Sequence, residues 1–168
     1  MKYTLWLNGH LLGETRLEHR NPIGGQRMGG LRPTTYGLEL LPGLCGFLSA
    51  AAAVKKAMQR LGVDDPDRDV DRTMELLETV PEGHRFAQLV KALCELELRE
   101  CGGDRAAFHT LIVTDVRELA ELSQSFDADA ELAQGTPRFI ISATPIDFIP
   151  LQRAIRKGAK MKVRLEPN

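Results

Sequence analysis

The run Tyr3-Thr4-Leu5-Trp6-Leu7-Asn8-Gly9-His10-Leu11-Leu12-Gly13-Glu14-Thr15 decides how the fold begins. Asn8-Gly9 supplies the two positive-φ residues of a type I′ turn, and β-branched, aromatic and leucine residues flank it on both sides. The stretch predicts a β-hairpin with a two-residue loop. Such a loop sets Leu7 opposite His10, Trp6 opposite Leu11, Leu5 opposite Leu12 and Thr4 opposite Gly13. Bulky apolar groups fall on both faces, so the hairpin is expected to be covered by protein on both sides.

Downstream, Gly24-Gly25-Gln26-Arg27-Met28-Gly29-Gly30 has the glycine density of backbone that turns sharply or approaches something closely, and it predicts a loop. A strand-like run resumes over Leu31–Leu41, starting beyond Pro33 or at a sheet edge because proline lacks an amide donor. At Pro42 the period changes. Leu44, Phe47, Leu48, Ala51, Val54, Met58 and Leu61 recur three or four apart and predict one helix, ended by Gly62. Asp65-Pro66 offers a cap and first-turn proline for a second helix to Val80, and Phe86, Leu89, Val90 and Leu93 stripe a third over 82–94.

Glu95–Glu100 alternates with period two and reads as a strand; Phe108–Thr114 reads as the other arm of a second hairpin, across the Cys101-Gly102-Gly103 turn. Asp115 caps a short helix, 123–136 is a loop with a helical turn, and Arg138–Ser142 is a buried strand. Leu151–Lys157 then forms a short helix. In Lys160–Leu165, Met161, Val163 and Leu165 alternate with cations, as in an edge strand guarded by charge. The fold class is therefore α+β: an N-terminal antiparallel sheet, central helices, and a C-terminal strand and helix part ending in an edge-like strand. Residues 1–41 and 42–168 form two subdomains packed as one unit.

With 43% hydrophobic and 27% charged residues among 168, whole-chain disorder is excluded. The uncharged, mostly apolar run Pro42–Val54 falls short of the roughly 20 residues that cross a bilayer, and the chain reaches a turn before a signal-peptide core could form. Cys45, Cys94 and Cys101 are odd in number and irregularly spaced, which suits neither a disulfide framework nor a four-ligand zinc site. The expected setting is the cytoplasm, away from membranes. Net charge is −1, but residues 1–62 carry +5, 63–136 carry −11 and 137–168 carry +5. That pattern reads as solvated acidic helix faces between basic ends, or as a polar molecule with one anion-attracting surface.

No motif of a nucleophile elbow, zinc protease, P-loop or calcium loop occurs, and no cofactor or metal is implied. The first reading is a non-catalytic binding or protein-interaction module, with a protein partner or a second copy of the chain. The rival is an enzyme for a small anionic substrate, with Arg27, Gly29, Gly30 and Arg32 as ligand-binding residues and His10 or His109 as acid or base. The third reading is nucleic-acid binding through Arg153, Arg156, Lys157, Lys160, Lys162 and Arg164. It ranks below the others because aromatic platforms are missing there and the isoelectric point is about 6.4.

Overall fold

The computed structural model describes residues 1–21, 25–66, 68–104, 106–123, 126–145 and 153–155. The opening hairpin forms as expected. Strands β1 (Tyr3–Leu7) and β2 (His10–Thr15) run antiparallel around Asn8 (φ 49°) and Gly9 (φ 82°). Leu7 opposes His10 and Trp6 opposes Leu11, but Leu5 then faces Gly13 and Thr4 faces Glu14. A bulge displaces the expected Leu5–Leu12 pair. The extra residue lets Leu12 enter the core without turning Glu14 inward, and the Leu12 carbonyl accepts the Thr34 amide at 2.8 Å.

Strands β3 (His19–Arg20) and β4 (Arg27–Pro33) lead into helices α1 (Thr35–Leu44), α2 (Phe47–Arg60), α3 (Val70–Leu77) and α4 (Pro81–Cys94). Strands β5 (Leu96–Glu100) and β6 (Thr110–Asp115) are followed by α5 (Val116–Leu122), α6 (Ala128–Ala133) and β7 (Phe139–Thr144). The strands form one curled antiparallel sheet in the order β5-β1-β2-β4-β7-β6, with β3 beside β4. The α+β class stands, and strands from both sides of residue 42 share the sheet.

Four local expectations are corrected. Residues 27–30 of the glycine segment are strand, paired with β7 from Arg27↔Ala143 to Leu31↔Phe139, because β4 needs glycine where other chain crosses it closely. Residues 35–41 are helix: the Thr34 hydroxyl accepts the Gly37 amide at 3.0 Å while donating to the Leu11 carbonyl at 2.8 Å. The single helix expected from Pro42 is two, broken at Cys45 and at Gly46 with φ 95°. Finally, β5 and β6 are not hairpin partners. β5 extends the first hairpin by pairing with β1, and its free edge is bonded by Asp104, whose carbonyl accepts the Glu100 amide, and Ala106, whose amide donates to the Leu98 carbonyl, before the chain crosses to pair β6 with β7.

The second helix also begins later, at Val70, while 82–94 and the Asp115 cap agree with the sequence reading. Of the expected helix 151–157, residues 153–155 are described and helical; the strand expected at Lys160–Leu165 lies outside the described residues.

The concave face of the sheet carries Tyr3, Leu5, Leu31, Val113, Phe139 and Ile141 into a core closed by Leu41, Phe47, Val54, Met58 and Phe86 of the helices. The other face has a different cover than expected at Trp6, whose ring lies 4.7 Å beneath the Arg99 guanidinium. Thr35–Arg60 has the length and apolar composition of a membrane-crossing helix. The chain divides it at Gly46, and buried side chains of both halves pack in the core.

Candidate functional site

Strand β4 meets two successive partners along one edge. β2 pairs with it at Gly13↔Pro33 and Glu14↔Arg32, and β3 at His19↔Met28 and Arg20↔Arg27. Between these pairs, the four residues 15–18 face only the three residues 29–31. The surplus is absorbed at Leu17, which adopts φ 53°. A left-handed non-glycine residue costs about 1–2 kcal/mol, and burial of the Leu17 side chain offsets it.

This crossing explains the glycines. A Cβ at Gly29 would lie 2.7 Å from the Leu17 amide nitrogen, and one at Gly30 would overlap the Pro137 ring. Over the bulge opens a small cleft of about 160 Å³, lined by Lys2, Glu14, Arg16, Glu18, Gly30 and Arg32. Lys2 Nζ lies 2.6 Å from Glu14 Oε2, so these two charges answer one another. Among the described residues, the side chains of Arg16, Arg32 and Glu18 have no hydrogen-bond or ion-pair partner. Each guanidinium offers a rigid fork of donors suited to a carboxylate or phosphate.

Of the residues singled out from sequence, Gly30 and Arg32 line this cleft, and Gly29 makes room for the arch beside it. Arg27 stands at the far end of β4, its Nη1 3.4 Å from the Tyr3 hydroxyl. His10 is exposed at the start of β2 with its ring 5.0 Å from that of Tyr36, and His109 is exposed where its amide donates to the Thr144 carbonyl. The structure does not bring either imidazole to Arg32. Nothing in the sequence marks Lys2, Arg16 and Glu18, since each reads as an ordinary solvated charge until strand pairing gathers them. Arg153 is exposed on the helical residues 153–155; Arg156, Lys157, Lys160, Lys162 and Arg164 lie outside the described residues.

A second polar cluster lies at the start of α2. Asp115 caps α5, accepting the Arg117 amide at 3.0 Å, and its other oxygen meets Arg138 Nε at 2.8 Å. The pattern Asp115-x-x-Glu118 is that of a capping box, in which Glu118 would bond back to its own helix. Instead the buried Glu118 carboxylate accepts the Gly46 amide (2.9 Å), the Ser49 amide (3.0 Å) and the Ser49 hydroxyl (3.2 Å). Cys45 lies beside it. Burial, with the charges of Asp115 and Glu118, pushes its thiol up to about 12 against a weaker pull from an Asp115 backbone hydrogen bond and Arg138. Such a thiol is protonated at neutral pH and is no nucleophile. The cluster holds helices together, and no group of three or more metal-ligating side chains occurs among the described residues.

No protein-family model, curated protein or solved structure matches the chain.

Proposed function

We propose that the chain is a non-catalytic binding module that holds an anionic group, a carboxylate or phosphate, in the cleft between β2 and β4. The observation that carries this reading is the presence of two forked guanidiniums, Arg16 and Arg32, on one small cleft with no carboxylate bound to either among the described residues. Binding is favoured over catalysis because His10 and His109, the acid or base candidates, stand away from Arg32 and the Cys45 thiol is held protonated. Three cysteines outside any disulfide suit a reducing compartment such as the cytoplasm. Titration of the full chain with inorganic phosphate and with acetate at low salt, followed by amide chemical shifts, tests the reading. Saturable shifts at residues 14–18 and 30–32 are expected, with affinity falling about tenfold or more in a folded Arg16→Ala/Arg32→Ala variant. Absence of saturation, or equal affinity in the variant, overturns it.

Association with a protein partner or a second copy has a separate basis. Tyr36 and Leu38, both in the first turn of α1, are 41% and 50% exposed, which leaves two large apolar groups uncovered at the start of that helix. Light scattering giving a multiple of 18.6 kDa that reverts to one copy in Leu38→Glu supports self-association; a wild-type monomer at all concentrations excludes it.

A further inference from the structure

The charge inventory of this cleft narrows the ligand. Resting on the anion-binding reading above, we infer that the cleft takes a small zwitterion: a carboxylate held by Arg16 and Arg32, joined by a short chain to an ammonium held by Glu18. Lys2 and Glu14 neutralise one another at 2.6 Å, which leaves two guanidiniums and one carboxylate without partners among the described residues. A simple anion answers the guanidiniums but brings like charge towards Glu18. A ligand with both signs answers all three.

Size and spacing agree. A cleft of about 160 Å³ is smaller than the roughly 300–1,000 Å³ of sites that enclose a nucleotide-sized molecule. It suits a ligand of a few heavy atoms. The Glu18 carboxylate lies against Gly29, since a Cβ there would be 2.7 Å from its Oε2. Arg32 starts three residues along the same strand and from its opposite face, so its guanidinium and the Glu18 carboxylate enter the cleft they both line from different sides. Opposite charges separated by a short methylene chain fit that arrangement better than charges on neighbouring atoms.

Butyrate and 4-aminobutyrate share a carbon skeleton and differ by the terminal ammonium. Titrated into the full chain at pH 7 and low salt, 4-aminobutyrate is expected to bind about fivefold more tightly, the gain of one solvent-accessible ion pair. Glu18→Gln should erase that preference while leaving butyrate bound as well as before or better. Equal affinity for the two ligands, both lost in Arg16→Ala/Arg32→Ala, overturns the zwitterion and leaves the anion reading standing. A preference that survives Glu18→Gln overturns the role of Glu18. Saturable binding of neither ligand overturns both readings.

Discussion

Glu118 reaches out of its own helix to accept the backbone amide of Ser49 at 3.0 Å, so the first turn of α2 is closed by a side chain from α5. Gly46, the residue in the cap position, has no side chain for the task. Glu118→Ala leaves the Gly46 and Ser49 amides and the Ser49 hydroxyl without this acceptor, and should destabilise the fold by about 2–3 kcal/mol. Glu118→Gln retains one acceptor and should cost less. Urea titrations check both; an unchanged midpoint for the alanine variant contradicts the cap.

Cys45 gives stability a dependence on alkaline pH. Its folded pKa, about 12, exceeds the ordinary 9.0, so between these values the folded chain binds more protons than the unfolded chain. The contribution is whole below pH 9 and is lost as pH rises towards 12. Cys45→Ala should flatten the fall in unfolding midpoint over that interval. The exposed Cys101 should also react with a thiol reagent at pH 8 well before Cys45 does.

Three glycine substitutions separate packing from backbone torsion. At Gly37 an added Cβ overlaps the Leu12 carbonyl, and Gly37→Ala should cost about 3 kcal/mol or more. Gly9 has open space but φ 82°, so alanine should cost about 1 kcal/mol. Gly43, in α1 with nothing within 4 Å, should become more stable by about 0.5–1 kcal/mol as alanine. Thermal or chemical denaturation should preserve this order, including the change of sign.

Two ion pairs of similar length should differ in weight. Asp115 is buried, caps α5 and meets Arg138; Asp115→Ala should cost about 1–2 kcal/mol. Lys2 and Glu14 are half exposed, so Lys2→Ala should change stability by less than about 0.5 kcal/mol. Equal losses in denaturant titrations would contradict the contrast.

What the sequence disclosed was local. Asn8-Gly9 announced its turn, the Phe86–Leu93 stripe its helix, and Asp115 its cap, since each signal sits within a few residues of what it specifies. The errors came where a distant partner decides. Tyr36, Leu38 and Leu40 alternate as a strand would, but the Leu11 and Leu12 carbonyls anchor Thr34 and start a helix. The glycines around residue 29 looked like a loop because the reason for them, Leu17 and Pro137 crossing at close range, is invisible until the sheet is assembled. The cleft was half legible: Arg32 and Gly30 stood out, whereas Arg16, Glu18 and Lys2 join them only through the β2–β4 register.

The pairing of β1 with β5 carries a consequence for biosynthesis. The outer edge of the first hairpin stays open until a strand encoded roughly ninety residues later arrives, a wait of about 5–20 s at ordinary translation speeds. Throughout that interval Tyr3–Leu7 offers bare main-chain groups to any passing strand, so the nascent chain is most vulnerable to mispairing before Leu96 emerges from the ribosome.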